Sequence, residues 1–406
     1  MRVLLSTIGS RGDVQPLVAL ALQLKSRGQD VRMCVPPDFQ DWIRGLGVSA
    51  VPIGPELRTM TAAKAPSTTA APSPERRQQL ADATVAAQFE TIGAAAADCD
   101  VVVAATALQI AARSVADKQG IRYVFVAYCP IVLPSPHHAP PPLPPIPGQP
   151  PVPVDADNRE LWLRDAERFT RLFGTALNLH RASLELAAIN DVRAYVFTER
   201  PWLAADPILA PWPDPADAVF QPGAWIVPDD RPLPREVEAF LDAGDPPVYF
   251  GFGSMRVPAG LGDVMVEAAR ALGRRAIVSR GWADLSAVAG GSDCLAVDEI
   301  NQQALFTRVA AVVHHGGAGT TTAAASAGSP QVIVPQLYDQ HYWARRVRDL
   351  GIGTAHEPGT LTAASLTPVL ERSLRPDVAD RARTIARTVR RDGASIAADR
   401  LIREGG

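Results

Sequence analysis

Residues 309–327 place the strongest constraint on how this chain folds. An apolar run, Val309-Ala310-Ala311-Val312-Val313, leads into His314-His315-Gly316-Gly317-Ala318-Gly319-Thr320-Thr321, and an alanine-rich segment follows from Thr322 to Ala327. That order reads as strand, glycine-rich turn and helix, the unit from which parallel α/β sheets are wound. A turn of this kind aims several backbone N–H groups and a helix N-terminus at one point, which suits a phosphate or diphosphate. The same glycines also suit a tight loop with no ligand, where they serve backbone geometry alone. Both readings stand on this stretch taken by itself.

The rest of the chain repeats the same grammar. At 406 residues it is too long for one ordinary core, and two domains are expected. In the first half Val3–Thr7, Val31–Val35, Ala50–Ile53, Val101–Ala105 and Arg122–Ala127 read as strands. Helices are expected from Leu17 to Gly28, Phe39 to Leu46, Pro74 to Ala97, Leu108 to Lys118 and Asp157 to Ala188, and Ala194–Thr198 reads as the last strand. Prolines recur between Pro201 and Pro234, as in a linker, and strand and helix signals then alternate again up to a last helix over Ser395–Arg403. The expected fold is α/β, with two facing Rossmann-like domains and a C-terminal helix returning to the first. The expected division is 1–224, a linker over 225–235, a second domain over 236–390 and the returning helix over 391–406.

Composition narrows the function classes. Apolar residues at 47% and charged residues at 20% describe a soluble globular protein. A net charge of -3 gives no basic footprint for nucleic acid. Cys34, Cys99, Cys129 and Cys294 are scattered without a CxxC pair, against a zinc site or disulfide framework and in keeping with a cytoplasmic protein. Neither a signal peptide nor a transmembrane run is visible.

Two segments are compositionally biased. Thr59–Ser73, rich in Ala, Thr, Ser and Pro, reads either as a lid or as an inert surface insertion. Pro134–Pro153 is dense in proline and favours an extended loop. It leaves the carboxyl end of the Arg122–Ala127 strand, the ligand-binding side of such a sheet. His137 and His138 therefore either wall an acceptor pocket or lie on a solvent-facing loop.

Other strand ends carry the chemistry. The first half offers Ser10-Arg11-Gly12-Asp13; the second offers Gly251-Phe252-Gly253-Ser254, Ser279 to Trp282, His315 to Thr320 and Gln336 to Gln340. A lone carboxylate against an anion cradle with hydroxyls and an Asp-Gln pair suits a nucleotide-diphosphate ligand whose reacting group faces Asp13. Each residue has a structural alternative. Asp13, before Val14-Gln15-Pro16, reads as a helix N-cap; Asp339 reads as a cap of the next helix; Trp282 is either core or a wall against a flat base. No GxGxxG follows the first strand and no GxxxxGK[ST] occurs, against a dinucleotide oxidoreductase and a P-loop NTPase. Asp98-Cys99-Asp100 and Asp155-Ala156-Asp157 have the form of a metal-binding carboxylate pair. The first lies at the amino end of its strand and the second in the tail of the proline loop, so no metal site is expected.

Taken in order, Met1–Pro16, Gly251–Ser254, Ser279–Leu285, His314–Thr321 and Pro335–Gln340 resemble the motifs of the GT-B glycosyltransferases. Arg32-Met33-Cys34, Ala204–Pro207 and Gly223-Ala224-Trp225 make the chain most similar to the antibiotic-tailoring, vancomycin-group branch; sterol glucosyltransferases resemble the second half almost as well. The resemblance implies metal-independent, inverting transfer of a sugar from a dTDP- or UDP-sugar to a hydroxyl of a natural-product aglycone of glycopeptide or polyketide type. The nucleotide sugar is then a co-substrate, and no cofactor is implied. It implies Asp13 as general base and His315, with the turn Gly317-Ala318-Gly319-Thr320, as holder of the leaving diphosphate. Ser10 and Ser254 would lie near the phosphates, Arg11 and Gly12 in the same donor-side turn, and Asp339 and Gln340 on the donor sugar. Ile300 matches the position whose backbone reads the base. Where plant members carry Trp-x-Pro-Gln, this chain has Glu299-Ile300-Asn301-Gln302, and its proline loop departs from the family. The competing functions are a UDP-glucose-dependent sterol or macrolide glucosyltransferase, a nucleotide-sugar epimerase and a non-catalytic partner of another transferase.

Overall fold

A computed structural model describes residues 1–58, 73–142, 152–153, 155–214, 218–255, 260–281 and 291–405. The expectations for the 59–72 insertion, for Trp282 and for positions 143–151 of the proline loop lie outside these residues. The chain divides into two compact units, Met1–Val227 with Arg391–Gly406, and Pro228–Arg390.

The first unit is built on β1 (Arg2–Thr7), β2 (Asp30–Val35), β3 (Ser49–Pro52), β4 (Val101–Ala105), β5 (Arg122–Ala127) and β6 (Trp202–Leu203). All pairs are parallel, in the order β3-β2-β1-β4-β5-β6. Strands covered by helices on both faces read as unbroken apolar runs, and every residue of Val101–Ala105 is buried. The order reverses between β1 and β4, so ligand is expected beyond the carboxyl ends of that pair. Around the sheet lie α1 (Arg11–Ser26), α2 (Gln40–Gly45), α3 (Pro74–Ala96), α4 (Ala112–Gln119), α5 (Asn158–Ser183) and α6 (Val192–Phe197). Ser73 and Asp157 cap α3 and α5 by accepting the N–H groups of Arg76 and Glu160.

Three local expectations are corrected. Ala194–Thr198 is not a strand: residues 192–197 form α6, because the Asp191 carboxylate accepts the Ala194 N–H and starts a helix there. The sixth strand is instead the two residues Trp202–Leu203, inside the proline-rich stretch taken for linker. Leu108 to Ala111 precede α4 as irregular chain, with Gln88 receiving the Ala111 N–H and donating to the Leu108 carbonyl.

The second unit carries β7 (Val248–Gly251), β8 (Ala276–Ser279), β9 (Cys294–Val297), β10 (Ala311–His314), β11 (Gln331–Ile333) and β12 (Gly353–Ala355), parallel throughout, in the order β12-β11-β10-β7-β8-β9. Counted from β7, this is the topology of the first sheet, reversing between β7 and β10. Strand residues alternate between two cores as the pleat requires. Val248, Phe250, Ala276, Val278, Ala311 and Val313 enter one, while Tyr249, Ile277 and Val312 enter the other. The helices are α7 (Arg235–Asp242), α8 (Leu261–Ala271), α9 (Gln302–Phe306), α10 (Ala318–Ala327), α11 (Gln340–Asp349), α12 (Ala363–Ser373) and α13 (Pro376–Ala386).

The chain then returns to the first unit as α14 (Gly393–Gly405), which packs on α1. Ala397, Ala398 and Leu401 are its buried face. Arg27 ties the pair, bonding the Asp399 carboxylate at 2.6 Å and the Ser395 hydroxyl at 2.8 Å. Among the described residues no helix is long and apolar enough to cross a membrane.

Candidate active site

In the first unit the carboxyl end of β1 runs directly into α1. The N-cap of α1 is Ser10, and Asp13 occupies its third position rather than the cap itself. The helix therefore starts earlier than the sequence suggested, with Pro16 inside it. The Asp13 Oδ2 accepts the Ser10 backbone N–H at 2.6 Å and its hydroxyl at 3.1 Å. This is the reciprocal end of a capping box, and it also fixes where the carboxylate points. Gly9 makes the room. Its φ is +145°, and a Cβ there would lie 2.2 Å from the Asp13 Oδ2. Tyr128, beyond β5, donates its hydroxyl to the Asp13 carbonyl at 3.0 Å. Burial and the nearby Asp13 charge raise the Tyr128 pKa, so it stays a neutral donor. The Arg11 guanidinium lies 4.2 Å from the centre of the Trp42 ring.

The foot of the proline loop is tied down by α5 and α6. Trp162 donates its indole N–H between the Ser135 and His138 carbonyls, each at 2.9 Å. Arg193 bonds the Val132 carbonyl at 2.8 Å and the Asp165 carboxylate at 2.7 Å. His138 packs edge-on against Trp162 and Trp212, and His137 reaches Asp214 at 3.3 Å. The carboxylates of Asp98 and Asp100 serve the far end of the sheet. Asp98 pairs with Arg2 and Arg32, and Asp100 accepts the Arg2 N–H.

In the second unit the turns after β7, β8 and β10 converge. Gly253, at φ +58°, would place a Cβ 3.5 Å from the His315 ring, and one on Gly281 would meet the Gly253 carbonyl at 2.5 Å. Ser254 follows in the first of these turns. Gly316 has φ +94°, and a Cβ on it would collide with Ile333 at 2.7 Å. Only glycine fits there. Gly317 is the N-cap of α10, with no side-chain cap and no acidic residue in the first turn. The N–H groups of Ala318, Gly319 and Thr320 thus open the helix uncapped, at its positive end. Beside them His315 Nδ1 is buried without a hydrogen-bond partner among the described residues. Burial drops the His315 pKa to about 4, so at neutral pH the ring is uncharged.

His314, fully buried at the end of β10, is bonded at both ring nitrogens. The Gly316 N–H donates to Nδ1 at 3.1 Å, and Nε2 meets the Gln331 side-chain oxygen at 3.0 Å. Gln331 in turn donates to the Thr321 carbonyl at 3.2 Å.

The Asp-Gln pair lies at the start of α11. Gln340 is mostly committed to its own loop, its Oε1 accepting the N–H groups of Gln336 at 2.8 Å and Leu337 at 3.2 Å. Asp339 accepts the Trp343 indole N–H at 3.0 Å. Burial raises the Asp339 pKa to about 6 against the opposing pull of that bond. Ile300 packs its side chain toward the core with Val237, Leu241 and Tyr249. Its neighbour Asn301 caps α9 and clamps the Asp229 and Arg231 carbonyls at 2.8 and 2.7 Å. Among the described residues no three His, Cys, Asp or Glu side chains form a metal-holding group.

Residues 3–131 match the glycosyltransferase family 28 N-terminal domain, and residues 275–398 match the erythromycin biosynthesis protein CIII-like C-terminal domain. The vancomycin aglycone glucosyltransferase of Amycolatopsis orientalis is 48% identical over 99% of this chain and 97% of its own length. Glycosyltransferase GtfE of the same organism is 51% identical over 99% of this chain and 97% of its own. The chain is a vancomycin-group GT-B glycosyltransferase.

The dTDP-epi-vancosaminyltransferase of Amycolatopsis orientalis is a further relative of this glycosyltransferase, 42% identical over 95% of the chain and 93% of the relative. Among solved structures, the glycotransferase of kitacinnamycin superposes with a TM-score of 0.73 at 20% identity, covering 100% of this chain and 98% of that one. Glycosyltransferase VinC in complex with dTDP superposes at 0.67 with 23% identity over 100% and 99%. Both share the fold of this glycosyltransferase.

Sequence reasoning passed over Gly9, Tyr128, Gln331, Asn301 and Trp343 in this glycosyltransferase. Three of these lie close in sequence to what they serve: Trp343 one helical turn beyond Asp339, Gly9 four residues before Asp13, and Asn301 as the cap of α9. Tyr128 and Gln331, and the clamp of Asn301 on Asp229 and Arg231, act across gaps in sequence that no short motif spans.

Proposed function

We propose that this glycosyltransferase transfers a hexose from a dTDP- or UDP-sugar to a hydroxyl of a glycopeptide aglycone, with inversion and without a metal. The acceptor oxygen attacks the anomeric carbon as its proton passes to Asp13, and the bond to the diphosphate breaks. A carboxylate is a weak base toward a phenol or alcohol, so the proton moves late, as the new C–O bond forms. The first-turn N–H groups of α10 and the neutral His315 ring receive the charge that builds on the leaving diphosphate, a preorganised alternative to a metal ion. Ser10 and Ser254 add hydroxyls on the phosphate side, with Arg11 and Gly12 in the same turn. Asp339, with Gln340 holding its loop, accepts hydroxyls of the donor sugar. Ile300 presents backbone to the base, and His137 and His138 border the acceptor.

The observation that carries this reading is the uncapped N-terminus of α10 beside His315 Nδ1, which has no hydrogen-bond partner among the described residues. A helix end of that kind asks for an anion, and a diphosphate supplies several acceptor oxygens. The glycopeptide acceptor is supported by the name of the vancomycin aglycone glucosyltransferase, similar along its whole length. Support for dTDP comes from the names of the vancosaminyl relative and of the VinC complex, and for glucose from that of the aglycone glucosyltransferase.

The deciding experiment incubates the protein with a glycopeptide aglycone and UDP-glucose or dTDP-glucose, and follows product mass. Addition of one hexose with release of nucleoside diphosphate is expected. Epimerisation of the donor without transfer would replace this reading with the epimerase.

A further inference from the structure

His314 ends a strand whose four residues are all fully buried and whose other three, Ala311, Val312 and Val313, are aliphatic. Burying an imidazole is unfavourable unless both nitrogens are satisfied. Here they are, and the partners settle the tautomer. The Gly316 N–H donates into Nδ1, so that nitrogen carries no proton; Nε2 holds the proton and donates it to the Gln331 Oε1. The Gln331 amide, oriented by that bond, donates to the Thr321 carbonyl.

The two ends of this chain of bonds bracket the uncapped first turn. Gly316 enters the turn, Thr321 lies inside α10, and the N–H groups of Ala318, Gly319 and Thr320 come between them. Gly316 is also held at φ +94°, where only glycine rests easily. We infer that His314, through the bond its Nδ1 accepts from the Gly316 N–H and with Gln331 and the Thr321 carbonyl steadying the ring, is a positioning residue that fixes the direction of the α10 first-turn N–H groups toward the leaving diphosphate. It touches no substrate. The inference rests on the reading of that turn as the diphosphate site.

The test uses the two half-mimics of histidine. His314→Asn puts an acceptor near the Nδ1 position and keeps the bond from Gly316. His314→Gln puts a donor near Nε2, keeps the bond to Gln331 and leaves the Gly316 N–H without its acceptor. Both remove one buried bond, so a purely structural role lowers Tm and nucleotide affinity alike in the two. The inference expects comparable losses of Tm but divergent affinities for dTDP and UDP by calorimetry. His314→Gln should bind about tenfold more weakly than the unaltered protein, and His314→Asn within about threefold of it. Equal affinities in the two variants overturn the inference. Failure of the unaltered protein to bind either nucleotide overturns the diphosphate reading as well, which separates the two failures. Should either His314 variant not fold, Gln331→Leu breaks the link to Thr321 without altering His314. A severalfold loss of nucleotide affinity supports the inference, and unchanged affinity overturns it.

Discussion

Trp343 donates its indole N–H to the Asp339 carboxylate at 3.0 Å, across one turn at the start of α11. The donor is almost wholly buried, and the carboxyl lies in a dense surround although part of the residue reaches solvent. Burial outweighs the bond, and the Asp339 pKa rises to about 6. At neutral pH this carboxylate is therefore ionised against the preference of its surroundings. That is the condition of a strong acceptor waiting for hydroxyl donors.

Asp339→Asn should consequently stabilise the protein while impairing it. The folded pKa lies above the unfolded value of 3.8, so the contribution of Asp339 to stability is full below about pH 4 and is lost as pH rises through 6. Asparagine keeps an acceptor for Trp343 and carries no charge. At pH 8 the variant should be more stable by about 1–3 kcal/mol, discounting for partial exposure, and the gain should shrink toward pH 5. Thermal melts at both pH values, with donor KM alongside, test this. A gain that does not vary with pH contradicts it.

Asp13→Asn should lower kcat by roughly 10²–10⁴-fold, the usual worth of a positioned base. The amide oxygen still accepts the Ser10 N–H, so Tm should stay within a few degrees. Affinity for dTDP or UDP should be nearly unchanged by calorimetry. Equal loss of binding and turnover would make Asp13 a structural residue of the α1 terminus.

Gly9→Ala tests the same carboxylate from behind. The new Cβ meets the Asp13 Oδ2 at 2.2 Å and demands φ +145° of an L residue. The expected result is a stability loss on the order of 1–3 kcal/mol, measured by denaturant unfolding. A fall in kcat approaching that of Asp13→Asn should accompany it. Wild-type turnover in a folded Gly9→Ala protein would show that the placement of Asp13 is immaterial.

Incubation with EDTA should leave the initial rate of transfer unchanged if α10 and His315 stabilise the leaving group unaided. A strict requirement for added Mg²⁺ would refute that assignment.

Leu401→Ala empties the α14 contact with the body of the first unit. The side chain is fully buried, so a loss of about 2–4 kcal/mol is expected. Asp399→Ala removes only a partly exposed ion pair and should cost less than about 1 kcal/mol. Denaturation midpoints of the two variants give the comparison.

Much of the fold is legible because buried parallel strands are apolar without interruption. Val101–Ala105 declares itself, and the glycine-rich turn after β10 marks a strand end where ligand binds. Val192–Phe197 misleads for the same reason: six mostly apolar residues suit a strand or a buried helix equally, and the Asp191 cap decides. Trp202–Leu203 and Gly353–Ala355 are too short to show a period; pairing with neighbours already in place makes them strands. At the site, residue types were readable but directions were not. Asp13 was visible as a carboxylate near a helix start, yet its position behind the cap depends on the backbone of Gly9 and Ser10. Gln340 looked like a sugar ligand, and its oxygen is engaged by the loop before it. The His314–Gln331 bond joins residues on adjacent strands, 17 positions apart, and becomes apparent only once the sheet order is known.

The return of α14 to α1 has a consequence for biosynthesis. As the ribosome extends the chain, α1 emerges among the first residues, while the helix that covers it is made only after all of Pro228–Arg390. The second unit can close on itself with nothing downstream, whereas the first waits for a partner more than 360 positions away, a contact of very high sequence separation. A nascent chain halted at Arg390 should therefore hold a protease-resistant second unit beside a first unit still open to cleavage around α1. The half that is begun first is finished last.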